Sequence, residues 1–168
     1  TLLSIGFVSF MLSDLVIFYI VLIFLSFIGI FLIFNYPWGS IFLGDSGAYL
    51  WGSLLASLTI ILYSRHDVPT WGAVVILFYP SIEMVFSYIR KKHQKRNPLH
   101  PDPDHMHLKL YFVIERSVTR ARIANCLVMP MISIIWLTPA MIIPWVFSDG
   151  VLSMLSIIFL SILYFGFY

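Results

Sequence analysis

The sequence predicts an all-α fold, a polytopic transmembrane helical bundle of about five to six spans, some of them kinked by proline. Composition is the first support for this class: of the 168 residues, 60% are hydrophobic and only 11% are charged. The mean hydropathy is +0.94. Since a soluble domain has about half apolar and about a quarter charged residues, this balance excludes an ordinary soluble protein. The chain has the size of one membrane domain, 1–168, and the single Cys126 excludes an internal disulfide.

Membrane spans are expected at apolar runs of about 20 residues, the length that a helix needs to cross hydrocarbon. Apolar runs occur at 2–12, 15–34, 48–63, 71–89, 123–147 and 151–168, and the first is too short to span alone. Asn35 and Pro37 end the second run, because proline cannot continue the helical ladder. The third run reaches full length if its helix begins at Asp45 or Ser46, both good N-cap residues. Prolines in the fourth and fifth runs predict kinks or interruptions.

Positive charge is concentrated in one segment, 90–122, which holds nine of the ten Lys and Arg residues. Such a concentration places a loop on the cytoplasmic side of a membrane. One helical hairpin separates this loop from the turn at 35–47, so the turn is expected on the same face. The sequence therefore predicts two polar segments that share the cytoplasmic side.

Asp45 is the one carboxylate in that turn, within Gly44-Asp-Ser-Gly47. A charge beside hydrocarbon costs free energy unless it has a partner or a task. Two compatible interpretations are open. Asp45 caps a helix, or it is a ligand for Mg²⁺, which takes one or two carboxylates and shares the phosphate oxygens of a substrate. The flanking glycines suit the second, since they let the backbone approach a phosphate closely.

The second polar segment, 97–109, contains three histidines, two aspartates and three prolines. The prolines predict a stiff, extended loop, and His105 and His107 point together only if the chain is extended there. Three roles stay open: transition-metal binding, phosphate or nucleotide binding with proton transfer, or a solvated polar loop. Phosphate is favoured over zinc, because no cysteine is nearby.

Glu83 lies inside the fourth apolar run and forms a polar stripe at helical spacing with Tyr79, Ser87 and Arg90. A carboxylate at membrane depth is a functional candidate by default. Pairing with Arg90 or with a neighbouring helix end is nevertheless a sufficient structural account, and we rank it first. The basic run 90–96 fixes topology and contacts anionic lipid head groups, and it can also concentrate a polyanionic substrate.

The two polar segments resemble one family of enzymes. Asn35-Tyr-Pro-(x)4-Phe-Leu-Gly-Asp-Ser-Gly47 is similar to the Gly-Asp-x-Gly signature of polyprenyl-phosphate N-acetylhexosamine-1-phosphate transferases, members of glycosyltransferase family 4. Pro101-Asp-Pro-Asp-His-Met-His107-Leu resembles their His-rich cytoplasmic motif. The order of the motifs and the two spans between them make the match specific.

This resemblance implies a reaction in which a lipid phosphate oxygen attacks the β-phosphate of a UDP-sugar and releases UMP. It implies Mg²⁺, with Mn²⁺ as an alternative, to stabilise developing charge. Asp45 would be the catalytic, metal-binding carboxylate, and His105 and His107 would be catalytic contacts to the nucleotide or diphosphate. The substrate-binding residues implied are Asn35, Gly44, Ser46, Gly47, Arg90 and His100.

The resemblance also implies the setting: a multi-pass protein of the bacterial inner membrane with cytoplasmic active loops, whose product initiates a cell-envelope polysaccharide. Its partners would be the UDP-sugar and polyprenyl (undecaprenyl) phosphate in the membrane. No nucleic acid is expected, and a homodimer stays open.

Departures from the family pattern add further expectations. The family's Asp-Asp pair and Asn/Asp-rich loop are absent from this sequence, so we expect the C-terminal half of such an enzyme, inactive alone. Ala48 stands where serine is usual, Asp104-His105 replaces Arg-x-His, and Leu108 stands where a further histidine is common. These changes leave the sugar and the nucleotide open. The alternatives are a degenerate non-enzymatic homologue and a membrane metal-binding protein that uses His100, His105 and His107.

Overall fold

The computed structural model describes residues 1–37, 39–41, 43–95, 105–118 and 121–167, without the side chains of residues 121 and 122. Within these ranges the chain is helical and contains no strand. The helices are α1 (Leu2–Met11), α2 (Leu15–Asn35), α3 (Gly44–Arg65), α4 (Trp71–Ile76), α5 (Phe78–His93), α6 (Met106–Ser117), α7 (Ala121–Val146) and α8 (Gly150–Phe167). The predicted all-α class is confirmed.

Four of the described helices, α2, α3, α7 and α8, are long and apolar enough to cross a membrane. Helix α1 is apolar but has only 10 residues, about 15 Å of rise. The run 71–89 forms two helices that meet at Leu77. Pro80 lies in the first turn of α5, where its missing N–H costs little, but its ring would clash with the carbonyl of Ile76 in a continuous helix.

One end of the bundle is organised around Asp14, and we call it the Asp14 end. The Asp14 carboxylate lies 3.1 Å from His66 Nε2 and 3.4 Å from Arg65 Nη1, at the close of α3. Helices α2 and α3 therefore run in opposite directions. A Cβ on Gly150, where α8 begins, would lie 3.5 Å from Pro69, so α8 also starts at this end.

The opposite end contains the turn between α2 and α3, and we call it the Asp45 end. The Tyr36 hydroxyl donates to the backbone carbonyl of Cys126 at 3.4 Å, and the Cys126 thiol donates to the carbonyl of Pro37 at 3.0 Å. Pro130 has no N–H to bond the Cys126 carbonyl, which leaves that oxygen available to Tyr36. The N-terminal part of α7 is thereby held against the turn.

Helix α7 is continuous although Pro130, Pro139 and Pro144 lie inside it. Of the two outcomes that the prolines predicted, a kink or an interruption, the interruption does not occur. Cys126 is half-buried.

The core lies where α1 packs against α2, α3 and α7 and where α8 packs against α4 and α7. Its fully buried side chains include Ile5, Val21, Leu62, Ile143 and Tyr164. Helices α1 and α2 approach closely, because a Cβ on Gly6 would lie 2.9 Å from Val21 Cγ1. Many large apolar side chains remain exposed, as expected of a surface that faces lipid.

Candidate functional site

Asp45 is exposed and lies in the first turn of α3. The helix begins at Gly44 after Leu43, without any side-chain cap. Within the described part of the chain, the Asp45 carboxylate makes no hydrogen bond and no ion pair. The prediction that Asp45 or Ser46 is the N-cap is therefore wrong. The carboxylate still lies at the positive end of the α3 dipole, where negative charge is favoured.

The glycines around Asp45 have structural reasons of their own. Gly44 has φ +69°, the left-handed region that glycine enters without a steric penalty. A Cβ on Gly47 would lie 2.7 Å from Leu43 Cγ, so a larger residue would displace Leu43. Both glycines are explained by the turn itself, and close approach of a phosphate stays a prediction.

The other predicted residues of this turn lie at its two edges. Asn35 is the last residue of α2, and its backbone carbonyl accepts a hydrogen bond from the N–H of Gly39. The chain therefore reverses direction immediately after α2. Ser46 is exposed beside Asp45. Asn35 thus lies at the start of the turn, and Ser46 directly follows Asp45 at its end.

His105 and His107 lie together, although not in the predicted way. His105 has extended backbone (φ −63°, ψ 146°) and is the N-cap residue of α6, whereas His107 is already in its first turn. The prediction of an extended chain through His107 is wrong. The two rings are nevertheless stacked, with centroids 5.6 Å apart and an interplanar angle of 11°. His100 lies outside the described residues.

The surroundings of His107 lower the pKa of its ring. Partial desolvation of the ring lowers the pKa of His107, the neighbouring His105 lowers it further, and Glu83 opposes them in part. The net pKa lies below its ordinary value of 6.5, so the neutral ring is favoured near pH 7. A neutral imidazole can accept as well as donate a proton.

Glu83 joins three helices. Its Oε1 accepts hydrogen bonds from His105 Nδ1 at 3.0 Å and from the Met106 N–H at 3.2 Å. Its Oε2 accepts from the Tyr164 hydroxyl at 2.6 Å. The expected pairing with a neighbouring helix end is confirmed, since Met106 begins α6. Sequence reasoning did not foresee that the same carboxylate holds a predicted site histidine.

A cavity of about 540 Å³ lies beside this carboxylate. Its lining residues are Tyr79, Pro80, Glu83, Met84, Ser87, Tyr88, Lys91 and His105. Three members of the predicted polar stripe, Tyr79, Glu83 and Ser87, line this cavity. The fourth position is taken by Lys91, at the i+4 spacing from Ser87, and not by the predicted Arg90. The Arg90 guanidinium lies over the Phe86 ring, 5.6 Å from its centroid. The cavity thus combines a cation, a hydroxyl and an imidazole.

The described contacts place the histidines toward the Asp45 end. Tyr164 lies 14 residues beyond Gly150 on α8, about 21 Å of helical rise from the Asp14 end. Because Tyr164 bonds Glu83, and Glu83 bonds His105, this cluster lies well away from that end. Within the described residues, no hydrogen bond or ion pair links Asp45 with His105 or His107.

The side chains around Asp45 suit a metal ion that is held jointly with a substrate better than a metal site made only of protein side chains. No group of three or more His, Cys, Asp or Glu side chains that could hold a metal ion occurs among the described residues. Asp45 is an exposed carboxylate that pairs with no other described residue, and Mg²⁺ is bound through one or two carboxylates together with substrate phosphates. Asp45 can supply one such ligand.

Comparison with known proteins agrees with the motifs. Residues 1–63 match the model of the family described as Glycosyl transferase family 4. The undecaprenyl-phosphate alpha-N-acetylglucosaminyl 1-phosphate transferase of Thermotoga maritima is 36% identical over 77 residues, 46% of this chain and 25% of that protein. The decaprenyl-phosphate N-acetylglucosaminephosphotransferases of Mycolicibacterium smegmatis and Mycobacterium tuberculosis are 29% identical over 48% of this chain and 23% of theirs.

The matches thus span about a quarter of the length of these curated relatives. No solved structure matches this chain. The matched segment 1–63 contains the Asp45 turn, whereas Glu83, His105 and Tyr164 lie beyond it. Residues 1–63 are therefore similar to a segment of glycosyl transferase family 4 proteins.

Proposed function

We propose that this chain forms part of an enzyme that transfers a sugar 1-phosphate from a UDP-sugar to a polyprenyl phosphate, such as undecaprenyl phosphate. The reaction would take place at the cytoplasmic face of the bacterial inner membrane and initiate a cell-envelope polysaccharide. The relatives carry names of this reaction class. The whole reaction requires residues that this sequence does not contain, so we expect the longer protein to be active and the chain alone to be inactive.

The observation that carries the proposal is the state of Asp45. It is an exposed carboxylate at a helix N-terminus, and within the described structure it has no partner. An exposed carboxylate that pairs with no described residue is available to a ligand, and we assign it one. Because the dipole of α3 and the carboxylate have opposite signs, the site can accept a cation and a phosphate together.

The roles of the residues follow from their chemistry. Bound Mg²⁺ would supply electrostatic stabilisation of the charge that develops on the diphosphate. Asp45 would hold that ion, and the backbone of Gly44, Ser46 and Gly47 would lie beside the phosphate. Asn35 lies at the start of the same turn, and its side-chain amide would contact the sugar nucleotide.

The cationic segment would hold the other end of the anionic substrate. Arg90 lies in the last turn of α5 together with further basic residues. We assign His105 and His107 to contacts with the diphosphate, and His100 to the same loop. The neutral form favoured for His107 suits proton transfer better than ion pairing.

The test is a UDP-sugar panel assay on the full-length protein in detergent, with undecaprenyl phosphate and Mg²⁺ and with UMP release as the readout. We expect Asp45→Asn to lower kcat by about 100-fold or more, because it removes the metal-holding charge. Asp67→Asn is the matched control, since Asp67 is also exposed but lies in the loop at the Asp14 end. We expect it to change kcat by less than about twofold.

Other outcomes would overturn the proposal. Normal turnover by the Asp45→Asn variant would show that Asp45 only stabilises the N-terminus of α3. No turnover of any UDP-sugar by the wild-type protein would support the degenerate homologue. Zinc that is retained stoichiometrically after purification and lost in a His105→Ala/His107→Ala variant would support the metal-binding alternative.

A further inference from the structure

We propose that Glu83 and Tyr164 are positioning residues that orient His105 and determine which of its ring nitrogens is presented to substrate. Neither residue belongs to the motifs that the sequence singled out for the reaction. The inference deepens the proposed function and rests on it for its catalytic consequence. The part that concerns the tautomer of the His105 ring can be tested without measuring activity.

The anchor of the cluster is Tyr164, in the last turn of α8. Its side chain is fully buried, and its ring packs edge-on against Phe86 with centroids 6.0 Å apart. The hydroxyl therefore has a fixed position. Its 2.6 Å hydrogen bond to Glu83 Oε2 is as short as O–H···O⁻ bonds to carboxylates are. Glu83 is thus held from outside its own helix.

The other carboxylate oxygen controls His105. Glu83 Oε1 accepts from both His105 Nδ1 and the Met106 N–H, so one atom fixes the ring and the start of α6 together. An ionised carboxylate only accepts hydrogen bonds, and therefore the shared proton lies on Nδ1. Nε2 is the nitrogen left for substrate. Stacking on His107 further restricts rotation of the ring.

The surroundings indicate what Nε2 would meet. His105 lines the cavity beside α5 together with the buried Ser87 and Lys91. A hydroxyl, an ammonium and an imidazole are the groups that bind phosphate oxygens. The Glu83 carboxylate also lines the cavity, but it is already bonded to His105, Met106 and Tyr164. We assign contact with a substrate phosphate in this cavity to the one His105 nitrogen that Glu83 does not use.

A purely structural role makes a different prediction. If Glu83 only joins α5, α6 and α8, its removal lowers stability and leaves the tautomer of His105 and the chemical step of the folded protein unchanged. Helix α6 offers a matched control: the Tyr111 hydroxyl donates to Glu115 Oε1 at 2.9 Å, the same pair of side chains as Tyr164 and Glu83. The Tyr111–Glu115 pair is contained within one helix.

The first measurement is the tautomer of His105, read from ¹⁵N chemical shifts of histidine-labelled full-length protein in detergent and assigned with His105→Gln. We expect Nδ1–H in the wild type and a substantial Nε2–H population in Glu83→Gln. Tyr164→Phe, which retains the carboxylate but removes one bond to it, should give a smaller shift of the same kind. Glu115→Gln and Tyr111→Phe should give the wild-type spectrum.

The second measurement is the division of the effect between kcat and KM. For Glu83→Gln we expect kcat to fall by about 10- to 100-fold with KM for the UDP-sugar changed less than about threefold, as for a residue that orients a reacting group. Glu115→Gln should leave kcat within about twofold. Elution in size-exclusion chromatography shows whether each variant folds. If Glu83→Gln does not elute as the wild type, the milder Tyr164→Phe decides.

The outcomes separate the two proposals. A His105 tautomer unchanged in Glu83→Gln overturns the positioning role, whatever the activity. A changed tautomer with unchanged kcat overturns the proposed effect of Glu83 on catalysis. A changed tautomer in a protein that turns over no UDP-sugar upholds the orientation of His105 by Glu83 and overturns the proposed function instead.

Discussion

Two aspartates at the starts of apolar helices differ completely in what surrounds them. Asp14 is only 6% exposed, accepts a hydrogen bond from the Ile17 N–H at 3.2 Å and lies within 3.4 Å of both Arg65 and His66. Asp45 is exposed, and within the described residues it has no such partner. Both lie at the positive end of a helix dipole. The folded state uses the whole carboxylate of Asp14 and leaves that of Asp45 available.

The distribution of cations explains the difference. Arg65 is the one Lys or Arg residue outside 90–122, and it pairs with Asp14. Neither aspartate has a cation close in sequence, but the fold brings Arg65, at the far end of α3 from Asp45, to Asp14. A carboxylate that lacks a cation of its own can bind one from solution or from a substrate complex. The contrast thus separates a structural acid from a candidate ligand.

The largest difference that we expect between substitutions of Asp45 and of Asp14 is in catalysis. In the full-length protein, Asp45→Asn should lower kcat by about 100-fold or more, while the unfolding midpoint changes little, because an exposed charge in a first turn contributes at most about 1 kcal/mol. Asp14→Asn should show the reverse, with a lowered midpoint and near-normal kcat per folded molecule. UMP release and thermal unfolding in detergent measure the two. A variant that lost both properties together would remove the distinction.

The next effect is on stability. Asp14→Ala removes a helix cap and both ionic partners of a buried carboxylate, and we expect a loss of about 2 kcal/mol in the free energy of unfolding. The matched variant is Asp149→Ala. Asp149 is exposed and caps α8 through the N–H groups of Val151 and Leu152, at 2.8 and 3.0 Å, and no described ion pair involves it. Its loss should cost about 1 kcal/mol. Equal costs would show that the ion pairs of Asp14 contribute nothing measurable.

A third effect concerns the backbone beneath Asp45. Gly44→Ala places a side chain at φ +69°, and we expect a cost of about 1 kcal/mol. Gly52→Ala is the control, since nothing lies within 4 Å of a Cβ at Gly52 and its place within α3 favours alanine, with an expected gain of up to about 1 kcal/mol. Unfolding midpoints of the two variants should move in opposite directions. A neutral Gly44→Ala would show that the turn does not require glycine at this position.

The fold was predictable because it rests on composition and length. The apolar runs predicted the starts of α2 and α8 to within a residue, since only a helix satisfies its own backbone within lipid. Pro80 predicted a broken span, but the break precedes it at Leu77. Helix α6 was not predicted. Its signal was the apolar repeat at Met106, Leu110 and Ile114, which the prolines before it obscured.

The candidate site was only partly predictable. The turn and the histidines could be selected by residue type, because Gly-Asp-Ser-Gly and clustered histidines are local patterns. The partners of Glu83 could not, since His105 is 22 residues away and Tyr164 is 81 residues away in the chain. The roles of Asp14 and Asp45 were likewise not separable by local sequence. The burial of Asp14 and its contacts with Arg65 and His66, across the bundle, distinguish the two residues.

The smallest expected effect is the pH dependence of the Asp14 contribution, because Asp14→Asn retains the cap and loses only the charge. Burial raises the pKa of Asp14, but the Ile17 N–H, His66 and Arg65 together lower it below its ordinary value of 3.8. A depressed carboxylate pKa stabilises the folded state above the unfolded value, and this contribution is lost as pH falls through the folded value. The difference in unfolding midpoint between the wild type and Asp14→Asn should therefore be present near neutral pH and shrink below about pH 4. A difference that stays constant into acid would mean that Asp14 acts as a cap alone, and the contrast with Asp45 would then rest on burial rather than on charge.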